Sequence, residues 1–156
     1  MMTTRRILLV EDNPGDEAMT LRALKKTNIE YEISVTRDGA ETLQRLFADE
    51  ADGLPPGLIL LDLMLPKIDG LEVLRRIRAD QRTQLIPVVV LTSSGQEKDI
   101  LAAYRGGTNA YVQKPVAFAA YAETIRALGE FWLLLSKPPP EDIQWPPGDR
   151  AASGAV

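Results

Sequence analysis

One stretch limits what this chain can fold into more than any other: the aliphatic run Leu58–Leu61 leads directly into Asp62. A short unbroken apolar run of this kind is typical of a strand buried on both faces, as in a parallel sheet. A buried carboxylate is costly without a partner, so we expect Asp62 at the carboxyl end of the strand. In open α/β sheets that edge binds ligands. A capping role for Asp62 fits less well, because the apolar residues 63–65 follow it.

Strand-like and helix-like segments alternate five times along the chain. Strand-like segments at 7–10, 31–35, 58–61, 87–91 and 110–113 are each followed by a segment that is predicted to be helical, and in the second of them Tyr31, Ile33 and Val35 alternate with polar residues. This alternation predicts an α/β fold, a doubly wound, flavodoxin-like parallel sheet of five strands with five helices. The expected strand order is 2-1-3-4-5, with the switch point between strands one and three.

Composition excludes several classes of function. The 156 residues include no cysteine and no histidine, which rules out disulfides, thiolate chemistry, Ser-His-Asp catalysis and histidine-containing zinc sites. The formal net charge is -4 and no basic run occurs, so we expect no direct contact with nucleic acid. No signal peptide or membrane-spanning run is evident, and we expect a cytoplasmic protein with no membrane partner.

Polar residues stand where four of the predicted strands end: Glu11 and Asp12, Asp62, Thr92, and Lys114. Each has an ordinary explanation alone, as a loop acid, a helix cap or a solvated lysine, but together they would share one cleft. Three neighbouring carboxylates would repel one another, and an oxygen-liganded Mg²⁺ relieves that repulsion. The arrangement favours Asp62 as a nucleophile of the aspartyl-phosphate type, with Lys114 and Thr92 contacting phosphoryl oxygens.

The motifs at these strand ends resemble the receiver domain of bacterial two-component response regulators, the chemotaxis-regulator-like fold. The resemblance covers about residues 6–128 and rests on four segments: Leu9 to Asn13, Leu61 to Pro66 with Asp69-Gly70, Leu91 to Ser93, and Tyr111 to Pro115. It implies a signalling switch, not a turnover enzyme, in which Asp62 receives a phosphoryl group from a histidine of a partner sensor kinase.

The resemblance also implies roles for individual residues. Glu11 and Asp12 would hold Mg²⁺ together with Asp62 and the backbone carbonyl of Met64. Thr92 and Tyr111 would form the switch pair, in which the hydroxyl moves toward the phosphoryl group and the ring turns inward.

Two details of the resemblance concern the neighbours of these residues. A cis peptide bond before Pro115 would orient Lys114. Met64 stands two residues after Asp62, and Ser94 stands two residues after Thr92. Neither is an acid or amide that would strongly orient an attacking water, so we expect a persistent phosphoryl-aspartate.

Within the family, the chain looks like the stand-alone regulators that pair with phytochromes. The features that carry this likeness are the long loop around Pro55, the run from Lys114 to Phe118, and the Phe131-Trp132 pair. This makes a bacteriophytochrome kinase a candidate partner.

The last helix carries an apolar stripe with steps of three and four residues. Its members are Phe118, Tyr121, Ile125, Leu128, Trp132 and Leu135. The helix is apolar nearly all round at 131–135, which predicts a second partner surface. In the phytochrome-associated regulators that the chain resembles, this surface joins two copies, so the resemblance implies a homodimer through helix four, strand five and helix five. We expect residues 1–136 to form the domain and 137–156, which are rich in proline, to form a tail in which Trp145 docks back. The tail is too short for an output domain, so we expect output by protein contact or phosphorelay.

Two other functions stay open. The chain could be a constitutive pseudo-receiver that only binds partners, although the intact set of acids, threonine and lysine disfavours this. A phosphatase of the haloacid dehalogenase kind needs a second acid two residues after the nucleophile, where Met64 stands.

Overall fold

The structure is a computed structural model that describes residues 5–48 and 55–140. Five strands and five helices alternate within these ranges, and a π-helical segment, Glu130–Leu135, continues the last helix. The elements are β1 Arg5–Val10, α1 Pro14–Lys25, β2 Tyr31–Thr36, α2 Gly39–Phe47, β3 Leu58–Leu61, α3 Gly70–Ala79, β4 Val88–Thr92, α4 Glu97–Arg105, β5 Ala110–Gln113 and α5 Phe118–Gly129.

The five strands form one parallel sheet in the order β2-β1-β3-β4-β5. Val10 pairs with Leu61, and Leu61 in turn pairs with Val90, so the three central strands end side by side. The predicted fold class and strand order are therefore confirmed. The residue that follows each central strand lies at one edge of the sheet, next to the switch point between β1 and β3.

Alternate residues of the central strands enter two separate cores, because successive side chains point to opposite faces of a sheet. Leu60 packs with α1 and α5, and its neighbour Leu61 packs with α2 and α3. Leu58 to Leu61 are all at most 3% exposed, which explains why this strand is apolar without alternation.

Three helices begin at a residue whose side chain caps the helix. Asn13, Asp38 and Asp69 each accept a hydrogen bond from the backbone N–H three residues further on, at 2.7–3.1 Å. Such caps satisfy N–H groups that have no partner inside the helix. Gly39, directly after the Asp38 cap, lies against the backbone of Ile68, where a Cβ would stand 1.9 Å from the carbonyl oxygen.

The buried side of the last helix differs from the predicted stripe. Phe118 and Leu135 are 58% and 69% exposed, whereas Leu133 is buried in line with Tyr121 and Ile125. The helix widens to i→i+5 bonding over Glu130–Leu135, as in the bond from the Ser136 N–H to the Phe131 carbonyl, 2.7 Å. The buried residues Tyr121, Ile125, Gly129 and Leu133 are four apart, and Leu133, inside the wider turn, belongs to the same core as Leu24 and Tyr121.

At the opposite edge of the sheet, hydrogen bonds of the Arg78 guanidinium connect the loop before β4 with the loop before β5. It donates to the carbonyls of Gln84, Ile86 and Gly107, and to Oδ1 of Asn109, at 2.7–2.8 Å. Burial lowers the pKa of the Arg78 guanidinium. This residue therefore holds the start of β4 against the start of β5 from the side away from the candidate site.

The domain boundary stays a prediction. The helical structure ends at Leu135, and residues 141–156, including Trp145, lie outside the described residues. Within the described part of the chain, no helix combines the length and apolarity needed to cross a membrane.

Candidate functional site

Backbone hydrogen bonds between the strands place the predicted site residues at one edge. The Asp62 N–H donates to the Val10 carbonyl at 3.1 Å. Asp62 therefore lies beside Glu11, the residue that follows Val10 at the end of β1. The Lys114 N–H donates to the Thr92 carbonyl at 2.7 Å. The parallel register thus brings residues from four distant parts of the sequence into one cleft.

Lys114 is the centre of this cleft. Its ammonium donates to Asp62 Oδ2 at 2.8 Å, to Asp16 Oδ2 at 2.9 Å, and to Glu11 Oε1. The lysine side chain is only 7% exposed, and Glu11 and Asp62 are equally enclosed. All three N–H donors of the ammonium are therefore used by carboxylates.

Asp16 was not among the residues that the sequence singled out for the site. It stands in the first turn of α1, where an acid is ordinary because it complements the helix dipole. No local signal distinguished Asp16, because Asp12 lies before the cap residue Asn13 and shares no helical face with it.

The pKa values of the two buried acids shift in opposite directions. Burial, together with the hydrogen bond to Asp62, raises the pKa of Glu11 to about 8, despite the opposing effect of Lys114. Burial alone would also raise the pKa of Asp62, but hydrogen bonds with Glu11, Lys114 and the Met64 N–H outweigh it and hold the pKa below its usual range. Burial would lower the pKa of Lys114, yet its carboxylate partners raise it. Without a bound cation, these surroundings therefore favour the charged form of Asp62 and disfavour that of Glu11.

Glu11, Asp12 and Asp62 offer a set of oxygens suited to a divalent cation. One carboxylate oxygen from each lies within 4.8 Å of the others, with Glu11 and Asp62 buried and Asp12 exposed. Hard carboxylate oxygens beside an open, solvent-facing side are the donor set that Mg²⁺ prefers, since it usually keeps several waters. The residues present therefore fit such an ion.

The hydroxyl of Thr92 has no partner although it is fully buried. Among the residues described, Thr92 Oγ1 is the buried side-chain oxygen or nitrogen without a hydrogen bond. A buried hydroxyl normally finds a partner, and exceptions call for an explanation such as a ligand. Thr92 ends β4 beside β3, so this unused hydroxyl lies at the same edge as Asp62.

The predicted switch partner, Tyr111, contacts the loop after β4. Its hydroxyl donates to the Ser94 carbonyl at 2.8 Å, and Ser94 Oγ donates to Asp99 Oδ2 at 2.5 Å. Met64, the other predicted neighbour, has a 63% exposed side chain and donates its N–H to Asp62 Oδ1 at 3.0 Å.

One detail of the prediction is wrong. The bond between Lys114 and Pro115 is trans, not cis. A trans bond is the more stable form before proline as well. Lys114 is positioned instead by its backbone bond to Thr92 and by the three carboxylates around its ammonium.

Comparison with known proteins agrees with this geometry. The model of the response regulator receiver domain matches residues 7–126. The chain belongs to the response regulator receiver family. Response regulator Rcp1 of Synechocystis sp. (strain PCC 6803) is 40% identical over 129 residues, which cover 81% of this chain and 88% of Rcp1.

Solved structures of receiver proteins superpose on nearly all of the described fold. The phosphorylated cyanobacterial phytochrome response regulator RcpA has a TM-score of 0.84 and 37% identity, with 88% of this chain and all of RcpA covered. Mn²⁺-bound Rcp1 gives 0.82 at 37% identity, covering 87% and 99%. The bacteriophytochrome response regulator AtBRR gives 0.67 at 46% identity, covering 87% and 100%. The family and the likeness to phytochrome-associated regulators are thus confirmed.

Proposed function

We propose that this chain is a phosphorylatable response regulator in which Asp62 is the phosphoacceptor. The observation that carries the proposal is the buried Asp62 carboxylate in contact with the buried Lys114 ammonium, at the edge of the sheet where Thr92 has an unpartnered hydroxyl. An Asp62 oxygen attacks the phosphorus of a phosphohistidine, the phosphorus–nitrogen bond breaks, and the histidine nitrogen leaves with the bonding electrons. Lys114 stays protonated and donates to one phosphoryl oxygen, and Thr92 donates its hydroxyl to another.

We assign the metal-binding role to Glu11, Asp12, Asp62 and the backbone carbonyl of Met64. When bound there, Mg²⁺ would neutralise part of the charge on the phosphoryl oxygens. The three carboxylates have the spacing and hardness for this, and relative Rcp1 has been solved with Mn²⁺ bound. Thr92 and Tyr111 are the proposed switch pair, in which movement of the Thr92 hydroxyl frees space behind it for the Tyr111 ring.

The test is intact-mass analysis after incubation with acetyl phosphate and Mg²⁺. We expect one phosphoryl adduct on the wild-type chain and none on Asp62→Asn. Asp69→Asn is the matched control, because asparagine caps a helix about as well as aspartate and the variant should still be modified. An adduct that persists in Asp62→Asn would refute the assignment. A wild-type chain that takes no phosphate would favour the constitutive binding module, and sustained hydrolysis of phosphomonoesters would favour the phosphatase.

We infer that the partner is a sensor histidine kinase and that a phytochrome kinase is the first to test. This rests on the likeness to Rcp1, RcpA and AtBRR. A phytochrome kinase phosphorylated with labelled ATP should lose its label to the wild-type chain within minutes and keep it in the presence of Asp62→Asn. Faster transfer from an unrelated kinase of the same cell would contradict the phytochrome assignment and leave Asp62 as acceptor.

We also propose a homodimer through α4, β5 and α5. Leu101 and Tyr104 of α4 are 50% and 52% exposed, and Phe118 of α5 is similarly open. Leu101→Glu should lower the sedimentation coefficient to that of a monomer, whereas Leu85→Glu, which changes an equally exposed leucine before β4, should not. A wild-type monomer at high concentration, with and without phosphorylation, would contradict the dimer.

A further inference from the structure

Asp16 is the one partner of Lys114 that the proposed reaction does not use. Lys114 donates to three carboxylates, of which Asp62 takes the phosphoryl group and Glu11 belongs to the proposed metal set. Asp16 lies on α1, 2.9 Å from the ammonium, with a side chain 24% exposed. Phosphorylation would change the surroundings of Asp62 and Glu11. The contact between Lys114 and Asp16 can persist in both the unphosphorylated and the phosphorylated chain.

The backbone around Asp16 is fixed on two sides. Its N–H donates to Oδ1 of the cap residue Asn13 at 3.0 Å. One turn later, the hydroxyl of Thr20 bonds the hydroxyl of Tyr121 at 2.9 Å, and both groups are buried, which ties α1 to α5. The Asp16 carboxylate therefore extends from a rigid part of the fold toward Lys114.

We propose that Asp16 is a positioning residue for phosphoryl transfer, because it holds the Lys114 ammonium at the edge of the sheet where a phosphoryl oxygen would bind. This inference rests on the function proposed above. Lysine carries its charge on a flexible stem, and an ammonium has three donors. With one donor anchored on the α1 side, the other two are directed at the ends of β1 and β3, where one can pass from a carboxylate to a phosphoryl oxygen.

A positioning role makes a prediction that a purely electrostatic or structural role does not. Asp16→Asn keeps a side-chain oxygen that can accept from Lys114, whereas Asp16→Ala keeps none. With acetyl phosphate and Mg²⁺, we expect Asp16→Ala to be phosphorylated at a rate constant roughly tenfold or more below wild type, since it loses one hydrogen bond to a charged group. The rate constant of Asp16→Asn should stay within about twofold of wild type. If Asp16 only served the helix dipole, both variants would lose the same charge and behave alike.

Glu17→Ala is the matched control. Glu17 is the next residue of the same helical turn, and its carboxylate pairs with Arg37 at 3.0 Å and makes no contact with Lys114. The substitution removes an equal charge from the start of α1 and leaves the three contacts of the Lys114 ammonium unchanged. We expect wild-type phosphorylation kinetics for Glu17→Ala.

A spectroscopic measurement on the unphosphorylated chain tests the contact itself. The ammonium nitrogen resonance of Lys114, assigned by its loss in Lys114→Arg, should be observable in wild type, Asp16→Asn and Glu17→Ala, because hydrogen bonds slow proton exchange. In Asp16→Ala it should shift and broaden. This readout does not depend on phosphate transfer, and an alanine in a helix does not lower stability in a way that imitates it.

Three results would overturn the inference: equal rates for Asp16→Ala and wild type, equal loss in Asp16→Ala and Asp16→Asn, or an unchanged Lys114 resonance in Asp16→Ala. Failure of the proposed function looks different. In that case the wild-type chain takes no phosphate, or Asp62→Asn still does, and a kinetic role for Asp16 is refuted along with it whatever the resonance shows.

Discussion

Thr92→Val should raise the free energy of unfolding while weakening the response of the chain to phosphorylation of Asp62. Thr92 is fully buried at the end of β4, and its hydroxyl has no hydrogen-bond partner among the described residues. Valine has nearly the same shape, and both residues are β-branched, so the strand backbone is not disturbed.

The magnitude follows from the cost of burying a hydroxyl without a partner. That cost is about 1–3 kcal/mol, and valine removes it while adding a buried methyl group. We therefore expect the free energy of unfolding to rise by about 1–2 kcal/mol, since some of the penalty is relieved in solution by local relaxation. In urea, this corresponds to a midpoint higher by roughly 0.5–1 M for a chain of this size.

The assay is equilibrium urea unfolding in the absence of divalent ions, because an ion that binds only the folded state would add its own stabilisation. Thr36→Val is the matched control. Thr36 is the last residue of β2, equally buried, but its hydroxyl bonds that of Thr42 at 2.7 Å. Its loss should lower stability by about 1 kcal/mol. If the two variants shifted the midpoint in the same direction by the same amount, the reasoning from the unpartnered hydroxyl would be wrong.

Three further outcomes can be measured. Gly39→Ala should destabilise the fold by about 3 kcal/mol or more, because its Cβ would stand 1.9 Å from a backbone oxygen, whereas Gly57→Ala, whose Cβ has 3.6 Å to its nearest neighbour, should change the urea midpoint little. Arg78→Met should cost about 3 kcal/mol in the same assay, since it removes the donor to three carbonyls and leaves Asn109 Oδ1 with only the Val88 N–H. Met64→Asn should shorten the lifetime of the phosphoryl group on Asp62, measured as loss of the adduct over time, because an amide can orient an attacking water; an unchanged lifetime would argue against a persistent phosphoryl-aspartate.

Much of the fold could be predicted from the sequence, because strands and helix starts depend on local patterns of residues. The unbroken apolar run Leu58–Leu61 predicts a strand covered on both faces, and the structure buries all of it. Caps such as Asp38 and Asp69 predict where helices start, since a cap needs only a side-chain oxygen and an N–H three residues away. The alternation of elements indicates a doubly wound sheet, and the order 2-1-3-4-5 is one of the common orders of that fold.

The candidate site was readable where chemistry and position coincide. Glu11, Asp62, Thr92 and Lys114 each end or follow a strand, and parallel strands place those ends at one edge. Asp16 was missed because its contact with Lys114 spans 98 positions of the sequence and depends on how α1 packs. An acid in the first turn of a helix has a sufficient local explanation, so nothing nearby marks it as part of a site.

The order of residues by itself determined which segments are strands and helices, where the helices are capped, and which polar groups stand at the strand ends. These depend on periodicity and on interactions between residues a few positions apart. Tertiary structure decided that Leu133 is buried while Leu135 is exposed, that the Thr92 hydroxyl is left without a partner, and that Asp16 completes the surroundings of Lys114. Each of these depends on the distance between elements that meet only after packing, and no local pattern encodes that distance.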